Sequence, residues 1–190
     1  MKKLIYIALG ALGWYIYKSK LRKIKLVILD VDGVLTDRRL YYSESGEIYK
    51  SFDARDGLGI KLLQQHGIEI ALVSGGKPGS VHHRSKDLGI TRVHTCIANK
   101  KEFVSSLIKI CGLNRHQALF VGDDLNDLEV KYAVSLLIAP IDAASTIIRH
   151  SHCVLFHAGG HGAVRELTER LLEAQSKVKP YHYKGWYSLN

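Results

Sequence analysis

The segment Asp30-Val31-Asp32-Gly33 sets two carboxylates two positions apart at the end of the apolar run Leu26-Val27-Ile28-Leu29. Alternate residues of an extended chain share a face, so both acids can lean into the crevice that forms at the carboxyl end of a buried parallel strand. Gly33 allows the sharp turn that follows. Paired acids in such a place suit phosphoryl transfer. One attacks phosphorus and carries an aspartyl-phosphate, while the other protonates the leaving oxygen and later activates water. Their mutual repulsion calls for a hard divalent cation, and Mg²⁺ accepts one or two carboxylates together with water and phosphate oxygens. Taken alone, D-x-D-G is equally a strand end followed by a turn.

Three further stretches could complete one site. Ile68-Glu69-Ile70-Ala71-Leu72-Val73 reads as a buried strand that ends at Ser74-Gly75-Gly76, a hydroxyl and flexible amides suited to phosphate oxygens. Lys100 opens an apolar-periodic helix through Phe103, Leu107, Ile108 and Ile110, where an ammonium could neutralise phosphate and nucleophile alike. Leu119-Phe120-Val121 runs into Gly122-Asp123-Asp124-Leu125-Asn126-Asp127. Helix capping accounts for one of those acids but leaves Asp123 and Asp124 beside a strand end.

Together, Asp30-x-Asp32, Ser74, Lys100 and Gly122-Asp123-Asp124-x-x-Asp127 resemble the four motifs of the haloacid dehalogenase superfamily of phosphatases. The segments Asp53-Ala54-Arg55-Asp56-Gly57-Leu58-Gly59 and Gly159-Gly160-His161-Gly162-Ala163-Val164-Arg165-Glu166 narrow the resemblance to its capless branch, which contains 3-deoxy-D-manno-octulosonate 8-phosphate (KDO 8-phosphate) phosphatase. The similarity runs from about Ile24 to Ala174. It implies Asp30 as nucleophile and metal ligand, and Asp32 as acid/base that also offers its carbonyl to the metal. Asp123 is the implied second metal carboxylate, with Asp124 and Asp127 in support. It further implies Mg²⁺ as cofactor, Ser74, Gly75 and Lys100 around the phosphoryl group, and a sugar-acid phosphate of lipopolysaccharide synthesis as substrate. Arg55, Lys77 and Arg84 are expected to contact that substrate, although Arg55 is equally placed to pair with Asp53 or Asp56. The family commonly has arginine where this chain has Gly76, which keeps a sialic-acid-like 9-phosphate open as the alternative substrate. Two other classes use similar residues: a phosphoaspartate signalling receiver and an inactive membrane-tethered scaffold. Asp32, placed to hydrolyse an intermediate, favours turnover over the receiver, and the presence of every reacting group argues against the scaffold.

To position these groups the chain needs an α/β doubly wound, Rossmann-like parallel sheet. Strands are expected near 26–30, 68–73, 93–95, 119–121, 136–138 and 154–156, alternating with helices near 57–66, 78–88, 100–111, 125–132, 143–149 and 163–174. Pro78 suits a first helical turn. Arg38 to Tyr42 and Glu47 to Phe52 flank the polar turn Ser43-Glu44-Ser45-Gly46 and read as a β-hairpin. The resemblance implies that this flap stands in for a cap domain and assembles a homotetramer.

The 190 residues, 46% hydrophobic and 24% charged, suit a single globular domain over 26–175. Cys96, Cys111 and Cys153 form no C-x-x-C and read as reduced thiols in a cytoplasmic compartment. The net charge of +9 concentrates in residues 1–25 and in the tail over 176–190. With no nucleic-acid motif beside it, that charge points to anionic membranes or substrates and not to nucleic acid. Leu4 to Tyr17 is uncharged and rich in Tyr and Trp. As a helix it spans about 21 Å at ~1.5 Å per residue, against a hydrocarbon core of ~30 Å, which is short for a crossing but compatible with tethering at the inner membrane. The histidines show no zinc-protease spacing and read as surface or core residues.

Overall fold

The computed structural model describes residues 15–177. Six parallel strands form the central sheet: β1 (Leu26–Leu29), β4 (Glu69–Val73), β5 (Arg92–His94), β6 (Ala118–Val121), β7 (Leu136–Ala139) and β8 (Cys153–Val154), in the order β5-β4-β1-β6-β7-β8. The chain leaves β1 toward one edge and later returns to the other side, so β1 is flanked by β4 and β6 in matched register. That reversal opens the crevice at the carboxyl ends where such folds place ligands. β1 and β6 are buried along their whole length, because helices cover both faces of the sheet.

On one face α1 (Ala54–Gln65) packs tightly against α5 (Ala163–Ala174). A Cβ on Gly59 would lie 2.8 Å from the Thr168 hydroxyl and 3.2 Å from the Arg165 backbone, so the absent side chain is what lets the two helices approach. The link is also polar. Buried Asp56 accepts the Gly162 amide at 3.2 Å and the Arg165 amide at 2.8 Å, capping the amino end of α5. Asp53 caps α1 in turn, starting it at Ala54 and not near Gly57. The other face carries α3 (Lys100–Ile110), capped by Asn99, and the helix over Leu125–Tyr132. That second helix is a 3-10 helix, a tighter coil than the expected α-helix. α2 (Ser80–Asp87) begins two residues after Pro78, because Gly79 at φ 122° breaks the helical path between them. α4 (Ser145–His150) completes the set.

The hairpin forms as expected but is short: β2 (Tyr41–Tyr42) pairs antiparallel with β3 (Ile48–Tyr49). All four of those residues are exposed. Within the segment expected as a tether, residues 15–21 are helical and fold onto the domain, burying Tyr17 and Leu21 in the main core. Gln175 reinforces the junction by donating to the Leu21 and Ile24 carbonyls. No helix among the described residues is long and apolar enough to cross a membrane. The rest of the expected anchor, residues 1–14, and the tail from 178 onward lie outside the described residues.

Leu21 is 1% exposed, so truncating it removes a full set of packing contacts. Leu21→Ala is expected to lower unfolding free energy by about 2–5 kcal/mol in urea titration. A loss below about 0.5 kcal/mol, the range of surface positions, would show that residues 15–21 do not belong to the core.

Candidate active site

β1 delivers Asp30 to its carboxyl end, where the carboxylate is 4% exposed. One oxygen accepts the Val31 amide at 2.7 Å and the other meets Lys100 Nζ at 2.7 Å. Lys100 is the first residue of α3, and its ammonium is entirely buried between Asp30 and Asp127, 2.7 Å from each. A lone buried ammonium would lose its proton. Here burial pulls its pKa down, but the two carboxylates more than offset that and hold it above the ordinary lysine value. The opposite holds for Asp30, whose pKa is pushed up to about 7 by burial and by the neighbouring Asp127 charge, with Lys100 limiting the rise.

The loop after β6 supplies the remaining acids, each with a distinct duty. Asp127 accepts the Asp123 amide with one oxygen and the Lys100 ammonium with the other. Asp124 caps the 3-10 helix that follows. Asp123 turns into the cleft, 2% exposed, and burial together with Asp127 lifts its pKa to about 7. Ser74, at the end of β4, is buried, and its hydroxyl accepts the Gly76 amide at 3.0 Å. Asp30, Asp32, Ser74, Gly75, Gly76 and Asp123 line one cleft of about 630 Å³. Four stretches of chain far apart in sequence therefore meet at the end of β1.

Ligand oxygens of Asp30, Asp123 and Asp127 lie within 4.8 Å of one another, a group able to hold a metal ion. Of the three, Asp30 and Asp123 line the cleft, whereas Asp127 does not. Two hard carboxylates whose charged forms are disfavoured by burial fit Mg²⁺, which takes few protein ligands and keeps water. Asp32, whose carbonyl belongs to the expected ligand set, lines the same cleft.

The expected substrate contacts divide. Lys77 lines an adjoining hollow of about 450 Å³ beneath the hairpin, bounded also by Asp32, Tyr42, Lys50 and Gly76. Arg55 instead binds the Asp53 carboxylate at 2.7 Å and donates to the His161 carbonyl, the pairing that its sequence neighbours allowed. Arg84 donates to the Asp53 carbonyl and its guanidinium carbon lies 5.9 Å from the centre of the Phe52 ring, so it braces α1 and is not among the residues lining the cleft. His157 pairs with Glu166 through Nδ1 at 2.8 Å.

Two cations at the site escaped sequence reading. Lys50, just past β3, reaches Asp32 at 2.7 and 2.8 Å with its side chain almost fully buried. Arg38, at the other end of the hairpin, contacts Asp123 at 3.3 Å. Both looked like ordinary charges on a surface ribbon. The larger cleft, about 1100 Å³ at the amino ends of the strands, is lined by Arg22, Lys23, Lys25 and Lys177 and has no acid.

Residues 53–130 match the family model for haloacid dehalogenase-like hydrolases. The 3-deoxy-D-manno-octulosonate 8-phosphate phosphatase of Escherichia coli K12 is 40% identical over 160 residues, covering 84% of this chain and 85% of that one. The Moraxella catarrhalis 3-deoxy-D-manno-octulosonate 8-phosphate phosphatase, solved with magnesium ion, phosphate ion and KDO, superposes with a TM-score of 0.84 at 32% identity, covering 87% of this chain and 95% of that one. The cobalt-bound Haemophilus influenzae phosphatase gives 0.82 at 40% identity, covering 85% and 95%. Identity at this level, sustained over most of both chains, establishes that the protein belongs to the haloacid dehalogenase-like hydrolases and is a phosphoric monoester hydrolase.

Proposed function

We propose that the chain hydrolyses KDO 8-phosphate to KDO and phosphate in lipopolysaccharide biosynthesis, through an aspartyl-phosphate on Asp30 and with Mg²⁺ as cofactor. The observation that carries this reading is the Asp30 carboxylate held 2.7 Å from a buried ammonium at the foot of a cleft that Asp32, Ser74 and Asp123 also line. The substrates named for the relatives support the choice of sugar acid.

In this reading Asp30 attacks phosphorus. Asp32 gives a proton to the departing sugar oxygen and then takes one from the water that releases phosphate. The Ser74 hydroxyl and the Gly75 amide receive the phosphate oxygens, while Lys100 lowers the repulsion between an anionic nucleophile and an anionic ester. Mg²⁺, held by the Asp30 and Asp123 carboxylates and the Asp32 carbonyl, supplies charge neutralisation at the transferring group. Lys77 and Lys50, in the hollow beneath the hairpin, suit the carboxylate of a sugar acid. Gly76 brings no side chain to that boundary, which favours a sialic-acid-like 9-phosphate as the second reading, and relative rates on the two phosphates separate them. The exposed Tyr41, Tyr42, Ile48 and Tyr49 support assembly of a homotetramer through the hairpins. Arg55 and Arg84 would then meet substrate only through such an assembly. The basic and aromatic composition of residues 1–25 supports contact with an anionic membrane surface.

Asp30→Asn is expected to remove all phosphate release from a panel of sugar phosphates while the protein stays folded by circular dichroism, because a carboxamide cannot attack phosphorus. Wild-type activity in that variant would exclude the aspartyl-phosphate route.

The raised acids give a second expectation. Asp30 and Asp123 titrate near 7 when folded against ~3.9 when unfolded, so without metal the chain loses stability as pH rises from about 4 to about 7. Metal binds the ionised carboxylates. Mg²⁺ at about 100 times its Kd should therefore raise the thermal midpoint by roughly 5–10 °C at pH 8 and by less than about 2 °C at pH 5. An equal shift at both pH values would place the bound metal elsewhere.

A further inference from the structure

Arg38 has φ at +67°, a left-handed conformation that non-glycine residues seldom adopt. Arg38, which precedes the hairpin, lines the catalytic cleft, and its guanidinium is held from two sides. Toward the site, Nη1 donates to Asp123 Oδ2 at 3.3 Å. Away from it, Nη1 donates to the Asp142 carbonyl at 2.7 Å and Nη2 pairs with the Asp142 carboxylate. Asp142 is itself fixed, since its other oxygen accepts the Gly159 amide at 3.0 Å. A strained backbone with both ends of its side chain tied is a local cost that surrounding structure sustains.

The Asp123 carboxylate is 3% exposed, whereas the Arg38 side chain is 36% exposed. The guanidinium therefore faces a carboxylate that water scarcely screens. The same positive charge lies beside the oxygens a divalent cation must reach.

We propose that Arg38 is a positioning residue acting through Asp123: a tethered counter-cation that pairs with this carboxylate and competes with the divalent metal for it. The proposal rests on the reading above that Asp30 and Asp123 hold Mg²⁺. When metal takes the charge of Asp123, Asp142 retains the guanidinium at the rim. Removing the guanidinium takes away a repelling charge and leaves Asp142 unpaired beside the site, and both changes favour a cation.

The test is calorimetric titration of the full-length chain with MgCl₂ at pH 7.5, without substrate. Arg38→Gly suits the left-handed backbone, and Arg38→Met keeps the apolar stem while removing the charge; thermal midpoints establish that both fold. Both variants are expected to bind Mg²⁺ about three- to ten-fold more tightly than wild type, the range for a half-exposed charge pair. The gain should shrink at 1 M NaCl, where exposed charges are screened. Unchanged or weaker binding in both would overturn the proposal, and tightening in the glycine variant alone would assign the effect to backbone relief and overturn it as well. Absence of Mg²⁺ binding in wild type and variants together would instead remove the metal reading on which it rests.

Discussion

The Lys100 ammonium has no exposed surface and touches two carboxylates, one just past β1 and one in the 3-10 helix after β6. A charge so placed is tolerable only if its partners are where they are, since leaving it unpaired costs about 3–5 kcal/mol. The ion triad is therefore a constraint on the whole domain. It requires α3 to start at the mouth of the sheet, β1 to end at Asp30 and the loop after β6 to fold back so that Asp127 points inward. The arrangement that serves phosphoryl transfer is also the one that keeps a buried cation from being orphaned.

Asp127 shows how one side chain carries several of these demands. Its two oxygens serve the Asp123 amide and the lysine, so Asp123 is left to face the cleft. Gly122 makes room for this, because a Cβ there would sit 2.5 Å from an Asp127 oxygen. Similar closeness recurs where Gly159 meets the loop after β1: an added Cβ would fall 1.9 Å from the Gly33 carbonyl oxygen. The glycine-rich stretch before α5 is packed against the catalytic loop, and Asp56 ties the helix that follows to α1. Core packing and site geometry are thus joined through backbone contacts that no larger residue allows.

Much of this was legible in the chain. Uninterrupted apolar runs ending in Asp30, Ser74 and the Gly122 loop announced parallel strands with polar carboxyl ends, and the alternating order of elements announced a doubly wound sheet. What escaped was whatever depends on tertiary reach. Arg38 and Lys50 are indistinguishable from solvated hairpin charges until they are seen to meet acids beyond the carboxyl ends of β6 and β1. Arg84 was expected at the substrate because no cap domain is present to select it, and the contacts that the sequence could not show are those with the Asp53 carbonyl and the Phe52 ring. Residues 15–21 read as a segment apart because their apolar side chains could serve lipid or protein equally well. The buried side chains of Tyr17 and Leu21 meet the domain's own core.

The hairpin enters the site region at Arg38 and leaves it at Lys50, and each of these residues grips an acid there, Asp123 at one end and Asp32 at the other. A ribbon pinned in this way cannot lift from the protein without breaking both ion pairs in the same motion. Its two ends are also its two points of attachment, so the seating of a surface feature is tied to the charge balance of the catalytic cleft.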